Sequence, residues 1–130
     1  MTRSVFVNFA SSMFIDREAV LEALRHCAQQ LKDQCDEVVA VYLFGSFATG
    51  QATPRSDADI VIEIASDDPE LREEVRHQAL GAFLEAPVPV EIFVQSTRPL
   101  EEGRRSGRGV AGAVAREGIR WRMRRWKSAW

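Results

Sequence analysis

VVAVYLFGSFATGQATPRSDAD, residues 38–59, carries the most informative pattern in this chain of 130 residues. The run from Val38 to Phe44 is β-branched, aliphatic or aromatic, and Gly45 ends it, which predicts a buried strand followed by a turn. Residues 58–64 then alternate isoleucine with acidic residues and Val61, which predicts a second strand with one apolar face. A Gly-Ser turn therefore follows one predicted strand, and an Asp-x-Asp pair opens the next.

Gly45 and Ser46 form a corner suited to a phosphate group. Glycine lets the backbone approach a ligand closely, and the Ser46 hydroxyl lies at the predicted start of a short helix, where backbone N–H groups favour anions. A Gly-Ser pair after a strand is also a common turn, so the pair alone indicates little about function.

Three carboxylates are the candidate metal ligands. Asp57 and Asp59 stand two residues apart at the mouth of a strand, so their side chains project from the same face and could converge on a hard cation. Glu91, on a later predicted strand, could supply a third carboxylate. Such a trio would hold one or two Mg²⁺ ions that bridge nucleotide phosphates and lower the pKa of an attacking hydroxyl. An Asp-x-Asp pair alone is commonly just solvated, but its combination with the Gly-Ser corner is more specific.

The rest of the chain supplies helices and further strands. One helix is predicted after the N-cap Asp16, with apolar residues at helical spacing as far as Leu31. A second is predicted over residues 69–85, after the N-cap Asp68. Residues 88–95 alternate as a third strand. The chain becomes rich in Gly and Arg after Pro99, and then has a weak helix over 110–117 and a short strand over 119–123. This order predicts an α/β (α+β) fold with a small mixed β-sheet covered by helices on one face.

The length of the chain is sufficient for one sizeable domain, and its charge differs between the first 103 residues and the rest. We expect an N-terminal arm over residues 1–15, a folded domain over residues 16–125, and a basic segment rich in Arg and Trp over residues 104–130 that overlaps the end of the domain. Residues 1–103 carry 8 basic and 18 acidic side chains, whereas residues 104–130 carry 9 basic and 1 acidic. The basic segment favours contact with a partner protein, and RNA is the alternative partner for it.

Several classes of protein are disfavoured by composition. Cys27 and Cys35 stand eight residues apart on one predicted helix, which separates them by about 12 Å and prevents a disulfide between them there. The two histidines, His26 and His77, are too few for a structural zinc site. No apolar run is long enough to span a membrane, so we expect a reduced, cytoplasmic protein with no membrane partner.

Taken together, these motifs resemble those of the minimal nucleotidyltransferases in the DNA polymerase β-like superfamily. The resemblance rests on Gly45-Ser46, on residues 56–59 (SDAD), on residues 90–93 (VEIF) and on residues 115–119 (AREGI), and it extends over about residues 17–123. It implies a polymerase β-like nucleotidyltransferase fold. Two positions depart from the family pattern: Thr49 stands where an Arg is frequent, with Arg55 as a possible replacement, and Glu91 stands where Asp is usual.

The resemblance also implies an activity and a set of site residues. Members of this family transfer a nucleoside monophosphate from an NTP to a hydroxyl and release pyrophosphate. It implies that Asp57, Asp59 and Glu91 are catalytic and hold Mg²⁺. The residues expected to bind the nucleotide, here ATP, are Gly45, Ser46, Arg55 and Ser56.

In bacteria, many minimal members are antitoxins that inactivate a HEPN-domain ribonuclease toxin by transferring AMP to one of its tyrosines. We therefore expect a protein adenylyltransferase with a HEPN toxin as its partner, working in a homodimer or a hetero-oligomer. One alternative is a catalytically weak module that neutralises its partner by contact, which Thr49 and Glu91 motivate. Another is a nucleotidyltransferase that acts on RNA or on a small-molecule hydroxyl, which the basic segment motivates.

Overall fold

The computed structural model describes residues 6–9 and 12–121 of the chain. At the N-terminus, β1 (Phe6–Phe9) and β2 (Ser12–Ile15) pair antiparallel as a two-stranded sheet of their own. The remaining elements surround a four-stranded sheet. They are α1 (Arg17–Gln34), β3 (Val38–Phe44), α2 (Ser46–Thr49), β4 (Ala58–Ile64), α3 (Pro69–Ala82), β5 (Val90–Ser96), α4 (Thr97–Ser106), α5 (Gly109–Glu117) and β6 (Ile119–Trp121).

The main sheet has the strand order β5-β4-β3-β6. β3 pairs antiparallel with β4 and with β6, whereas β4 and β5 run parallel, so the sheet is mixed. β3 and β4 are the central strands and are buried almost throughout. This confirms the predicted α+β class with a small mixed sheet.

The helix starts follow from local chemistry. The Asp16 carboxylate accepts a hydrogen bond of 3.1 Å from the Ala19 N–H, and the Asp68 carboxylate accepts one of 3.0 Å from the Glu70 N–H. Each bond satisfies a backbone donor that has no partner inside the helix. Pro69 occupies the first turn of α3, where its missing N–H has no cost. Both predicted N-caps are confirmed.

Helices cover both faces of the sheet. One face, which carries Ile60, Ile62 and Ile64, packs in a core with buried residues of α1 and α3. A second, smaller core contains Tyr42 and Val61 and is closed by α4 and α5. The sequence predicts helices on one face only, and the structure adds α4 and α5 on the other, because the residues that alternate with the isoleucines include apolar ones.

The sequence indicated only that the chain becomes rich in Gly and Arg after Pro99, whereas the structure has a helix there, α4, which begins at Thr97. Gly103 of that helix lies where an added β-carbon would overlap the side chain of Ala111 on α5. Gly103 therefore permits close contact between two helices. A local sequence pattern does not distinguish a glycine at such a contact from a glycine in a loop.

Other predicted bounds differ slightly. α3 ends at Ala82 rather than residue 85, and β5 begins at Val90, after two prolines that lack the N–H needed for a ladder. Both cysteines are free and buried. Among the described residues, no helix is long and apolar enough to cross a membrane. The last part of the basic segment, residues 122–130, lies outside the described residues, and so do the predicted end of β6 and the domain boundary at residue 125.

Candidate active site

The strand registers bring two of the predicted carboxylates side by side. Phe44, the last residue of β3, is opposite Asp59 of β4, and Asp59 is in turn beside Glu91 of β5. Asp59 and Glu91 occupy equivalent positions on neighbouring strands, so their side chains emerge on the same face of the sheet. This is the face whose core is closed by α4 and α5. The charge of Glu91 acts on the Asp59 carboxyl group and raises its pKa.

Gly45 closes the site from the end of β3. Its φ of 78° and ψ of −155° lie in a region that L side chains rarely adopt. A β-carbon on residue 45 would also overlap the Oδ2 atom of Asp59. Glycine is therefore required here both by the backbone conformation and by the carboxylate that lies against it.

The corner after Gly45 is a short helix, α2, that begins at Ser46. The Ala48 and Thr49 N–H groups donate to the Gly45 carbonyl at 3.0 and 3.1 Å, which fixes the turn. The Thr49 hydroxyl lies within 3.3 Å of the Gly45 carbonyl and 3.4 Å of the Ser46 carbonyl. Thr49, at the position where the family often has Arg, thus contacts the backbone of its own helix.

Arg17 holds α2 in place and was not among the predicted site residues. From the start of α1, its Nε donates to the Phe47 carbonyl at 2.9 Å, and its Nη2 donates to the Ala48 carbonyl at 3.2 Å. These carbonyls belong to the last turn of α2, where a cation is favoured. No local pattern could reveal a contact between residues thirty positions apart.

The electrostatics of the site centre on Asp59. Burial raises the pKa of its carboxyl above the ordinary value of 3.8, and the neighbouring charges of Glu91, Asp57 and Glu117 raise it further. Asp57 is exposed and Asp59 is half-buried, so of the predicted pair only Asp59 is partly shielded from solvent. Several carboxylates are thus held close enough to repel one another, an arrangement that a bound cation would relieve.

Glu117 is the second residue that the predicted set lacks. Ile119 of β6 pairs with Leu43 of β3, which brings the end of α5 to the same end of the sheet as Gly45. The charge of Glu117 reaches Asp59 and contributes to its raised pKa. Glu117 lies inside the segment 115–119 on which the family resemblance partly rests. That segment was the signal in the sequence from which Glu117 could have been predicted.

The other predicted nucleotide contacts lie in the loop between α2 and β4. The Ser56 hydroxyl accepts a hydrogen bond of 2.8 Å from the Thr53 N–H, and the Ser56 N–H donates to the Thr53 carbonyl at 3.0 Å, so Ser56 holds the loop in a turn. Arg55 is exposed on that turn. The structure therefore brings Gly45, Asp59 and Glu91 together, with Ser46 beside them, and leaves Arg55 on the surface.

The donor set fits a magnesium ion that is shared with a nucleotide. Among the described residues, no group of three or more His, Cys, Asp or Glu side chains is arranged to hold a metal by itself. Mg²⁺ in phosphate-transfer sites, however, is commonly bound by one or two carboxylates, with phosphate and water oxygens as the other ligands. The adjoining carboxylates of Asp59 and Glu91 match that requirement.

A buried polar network lies behind the site on the same face. Glu63 of β4 accepts hydrogen bonds of 2.7 Å from the Tyr42 hydroxyl and 2.7 Å from the Thr97 hydroxyl, one on each carboxylate oxygen. The Arg120 guanidinium lies 5.9 Å from the centre of the Tyr42 ring. Because both Glu63 oxygens are hydrogen-bonded, this buried carboxylate is satisfied and ties β3, β4 and α4 together.

Comparisons with known proteins give a family match and several structural neighbours. A family model described as a nucleotidyltransferase domain matches residues 23–105. A Sulfolobus solfataricus protein provisionally named a nucleotidyltransferase is similar in structure, with a TM-score of 0.53 and 17% identity over 83% of this chain and 84% of that one. A toxin–antitoxin structure with AMP-PNP has a TM-score of 0.49 and 20% identity over 79% and 76% of the two chains. No curated protein matches the chain significantly.

Proposed function

The chain belongs to the nucleotidyltransferase domain family, and from this membership we propose that it transfers AMP from ATP to a hydroxyl of a partner protein. The observation that carries the proposal is the adjoining pair of carboxylates, Asp59 and Glu91, at the strand end where Gly45 and α2 form the Gly-Ser corner. A phosphate-binding corner beside paired carboxylates is the arrangement that nucleotidyl transfer requires.

Each part of the corner has a role in this reaction. Gly45 and Ser46 bind the triphosphate, and the exposed Arg55 and the Ser56 turn border it. Asp57, Asp59 and Glu91 would hold Mg²⁺, which when bound offsets phosphate charge and lowers the pKa of the attacking hydroxyl. The acceptor oxygen forms a bond to the α-phosphorus, and the bond from that phosphorus to the bridging oxygen of the β-phosphate breaks. Pyrophosphate leaves, and the hydroxyl proton passes to a carboxylate of the site.

We further propose that the acceptor is a tyrosine of a HEPN ribonuclease toxin and that the protein acts as its antitoxin in the cytoplasm. The support is the resemblance of the Gly-Ser, SDAD, VEIF and AREGI segments to minimal nucleotidyltransferases that act in this way. AMP attached to the toxin adds a charged phosphate and a large base at its active centre, which would block RNA there.

The test uses the purified full chain, ATP, Mg²⁺ and the protein encoded beside it. Intact-mass spectra of both proteins are compared for the wild type, the double variant Asp57→Asn, Asp59→Asn, and a matched control, Asp36→Asn. Asp36 is an exposed aspartate in the turn before β3, at the end of that strand opposite the site. We expect a mass gain in whole AMP units on the partner with the wild type and with Asp36→Asn, and none with the double variant.

Two outcomes would replace this proposal. If the double variant still neutralises the partner, the protein acts by contact and not by transfer. If the partner gains no mass, while salt-sensitive RNA binding or labelling of RNA or of a small alcohol occurs, the acceptor belongs to another class.

A further inference from the structure

The last turn of α2 is hydrogen-bonded by a side chain from another helix. α2 has four residues, so it is too short to supply N–H donors for the carbonyls of its own last turn. The N–H groups of the two residues that follow it both donate to the Ser46 carbonyl. The carbonyls of Phe47 and Ala48 accept instead from the Arg17 guanidinium, through Nε at 2.9 Å and through Nη2 at 3.2 Å.

α2 is thus attached to the rest of the domain in two ways. The Phe47 side chain is fully buried in the larger core and holds one side of the helix there. The Arg17 guanidinium holds the backbone of the last turn at two neighbouring carbonyls. Because a guanidinium is planar and its N–H groups point in fixed directions, two such bonds define an orientation as well as a distance. We therefore attribute the depth of α2 to Phe47 and its direction to Arg17.

The position of Arg17 in α1 is not explained by the needs of α1 itself. Arg17 is the first residue of that helix, and the helix dipole disfavours a cation near the N-terminus. Asp16 and Glu18, on either side of it, are the acidic residues that this end of a helix favours. A half-buried arginine at a locally unfavourable position is expected where its side chain serves a contact with another element.

Short hydrogen bonds join the last turn of α2 to the Gly-Ser corner. The Ala48 and Thr49 N–H groups donate to the Gly45 carbonyl at 3.0 and 3.1 Å. Ala48 is therefore bonded to Gly45 through its N–H and to Arg17 through its carbonyl. A change in the direction of the last turn would move the backbone of Gly45 and Ser46 with it.

We propose that Arg17 is a positioning residue for nucleotide binding: its guanidinium sets the direction of α2 and, through it, the placement of Gly45 and Ser46 against the triphosphate. The inference rests on the proposed function, which assigns those two residues to the triphosphate. It gives Arg17 no contact with the nucleotide or with the reacting atoms. The role requires the two-point geometry of a guanidinium, so the single ammonium of a lysine would not replace it.

The test separates nucleotide affinity from the fold and from the chemical step. We would compare the full-length wild type with Arg17→Lys and Arg17→Gln, and use Arg25→Lys and Arg25→Gln as matched controls. Arg25 is an exposed arginine of the same helix. Isothermal titration calorimetry gives the affinity for AMP-PNP with Mg²⁺, the AMP-transfer assay gives KM for ATP and kcat, and thermal unfolding reports on the fold.

We expect both Arg17 variants to bind AMP-PNP about tenfold more weakly than the wild type, because hydrogen bonds from a charged donor are lost. KM for ATP should rise by the same factor, and kcat at saturating ATP should stay within about twofold of the wild-type value, since the carboxylates of the site are unchanged. Without nucleotide, the Ala48 and Thr49 amides should exchange hydrogen faster in the Arg17 variants. The Arg25 variants should match the wild type in every measurement.

Equal nucleotide affinity in the wild type and in Arg17→Lys would overturn the proposal, because a positive charge alone would then be sufficient. A fall in kcat with an unchanged KM would overturn it too, since Arg17 would then act on the chemical step. If one Arg17 variant fails to fold, the other decides, and if both fail, Arg17 supports the whole fold and the proposal is wrong. A wild type that binds AMP-PNP but transfers no AMP contradicts the proposed function alone, whereas one that binds no AMP-PNP contradicts both.

Discussion

A β-carbon on Gly45 would occupy the space taken by the Asp59 carboxylate oxygen Oδ2. The turn after β3 and the acid on β4 therefore fit against each other, and neither can change without disturbing the other.

We predict that Gly45→Ala abolishes nucleotidyl transfer, because the new methyl group displaces Asp59. Gly50→Ala is the matched control: Gly50 also has a positive φ, of 80°, but nothing lies within 4 Å of its added β-carbon. Gly50→Ala, in the left-handed α region, should cost about 1 kcal/mol of backbone strain, whereas Gly45→Ala should cost more and reduce activity by at least about a hundredfold. Thermal unfolding and an AMP-transfer assay measure the two effects. Equal loss of activity in both variants would contradict a specific contact with Asp59.

The raised pKa of Asp59 predicts a pH dependence of stability. The folded state holds the Asp59 proton more tightly than the unfolded state, so this contribution to stability is complete below about pH 4 and is lost as pH rises through the folded pKa. Without metal, Asp59→Asn should therefore be more stable than the wild type at neutral pH, although inactive.

Added Mg²⁺ tests whether the Asp59 carboxylate binds the metal. It should raise the unfolding temperature of the wild type in the presence of a non-hydrolysable ATP analogue and have little effect on Asp59→Asn. The exposed Asp36→Asn variant should behave as the wild type does in both measurements. An Asp59→Asn protein that is less stable at neutral pH would show that the carboxylate stabilises the fold.

Tyr42 is the single tyrosine of the chain, so its ionisation can be followed directly by ultraviolet absorbance. Burial raises the pKa of its phenol above 10, and the hydrogen bond to Glu63 and its charge raise the pKa further. We expect Glu63→Gln to lower the pKa of the Tyr42 phenol. The stability of the wild type should fall as pH rises above 10, because the folded state holds the phenol proton more tightly than the unfolded state. Tyr42→Phe should cost about 1–3 kcal/mol, because it leaves a Glu63 oxygen buried without its donor. A phenol that titrates at 10 in the native protein would contradict the buried pair.

Cys35 should react slowly with thiol reagents. Burial raises the pKa of its thiol from 9.0 to about 11, with contributions from the hydrogen bond to Glu37 and from its charge. A thiol pKa that is higher by about two units lowers the thiolate fraction at pH 8 by about a hundredfold. Glu37→Gln should accelerate the labelling of Cys35. In the unfolded protein, both cysteines should react with the reagent at the rate of free thiols. Rapid labelling of Cys35 in the native state would contradict this environment.

Strands were predictable here because their patterns are local. The bounds of β3 and β4 follow from an apolar run ended by glycine and from an alternation that begins after Asp57, and both match the structure. The N-caps Asp16 and Asp68 act within three residues of themselves and were predicted for the same reason.

Contacts between distant segments were not predictable from one sequence. Arg17 reaches the carbonyls of α2, Gly103 makes room for Ala111, and Glu117 approaches Asp59, and each depends on the packing of whole elements. The spacing of Asp57 and Asp59 predicted a shared face, but only the parallel register of β4 and β5 brings Glu91 beside Asp59. The roles of these acids in catalysis stay predictions until the variants are measured.

The pairing of β6 with β3 has a consequence for how the protein is made. The ribosome delivers β3 early, but the strand that completes one side of it emerges only after residue 119 has been synthesised. Until then the nascent chain carries β3 as an unpaired edge. A chain truncated before residue 119 would keep that edge, so we expect it to aggregate more readily than the full chain.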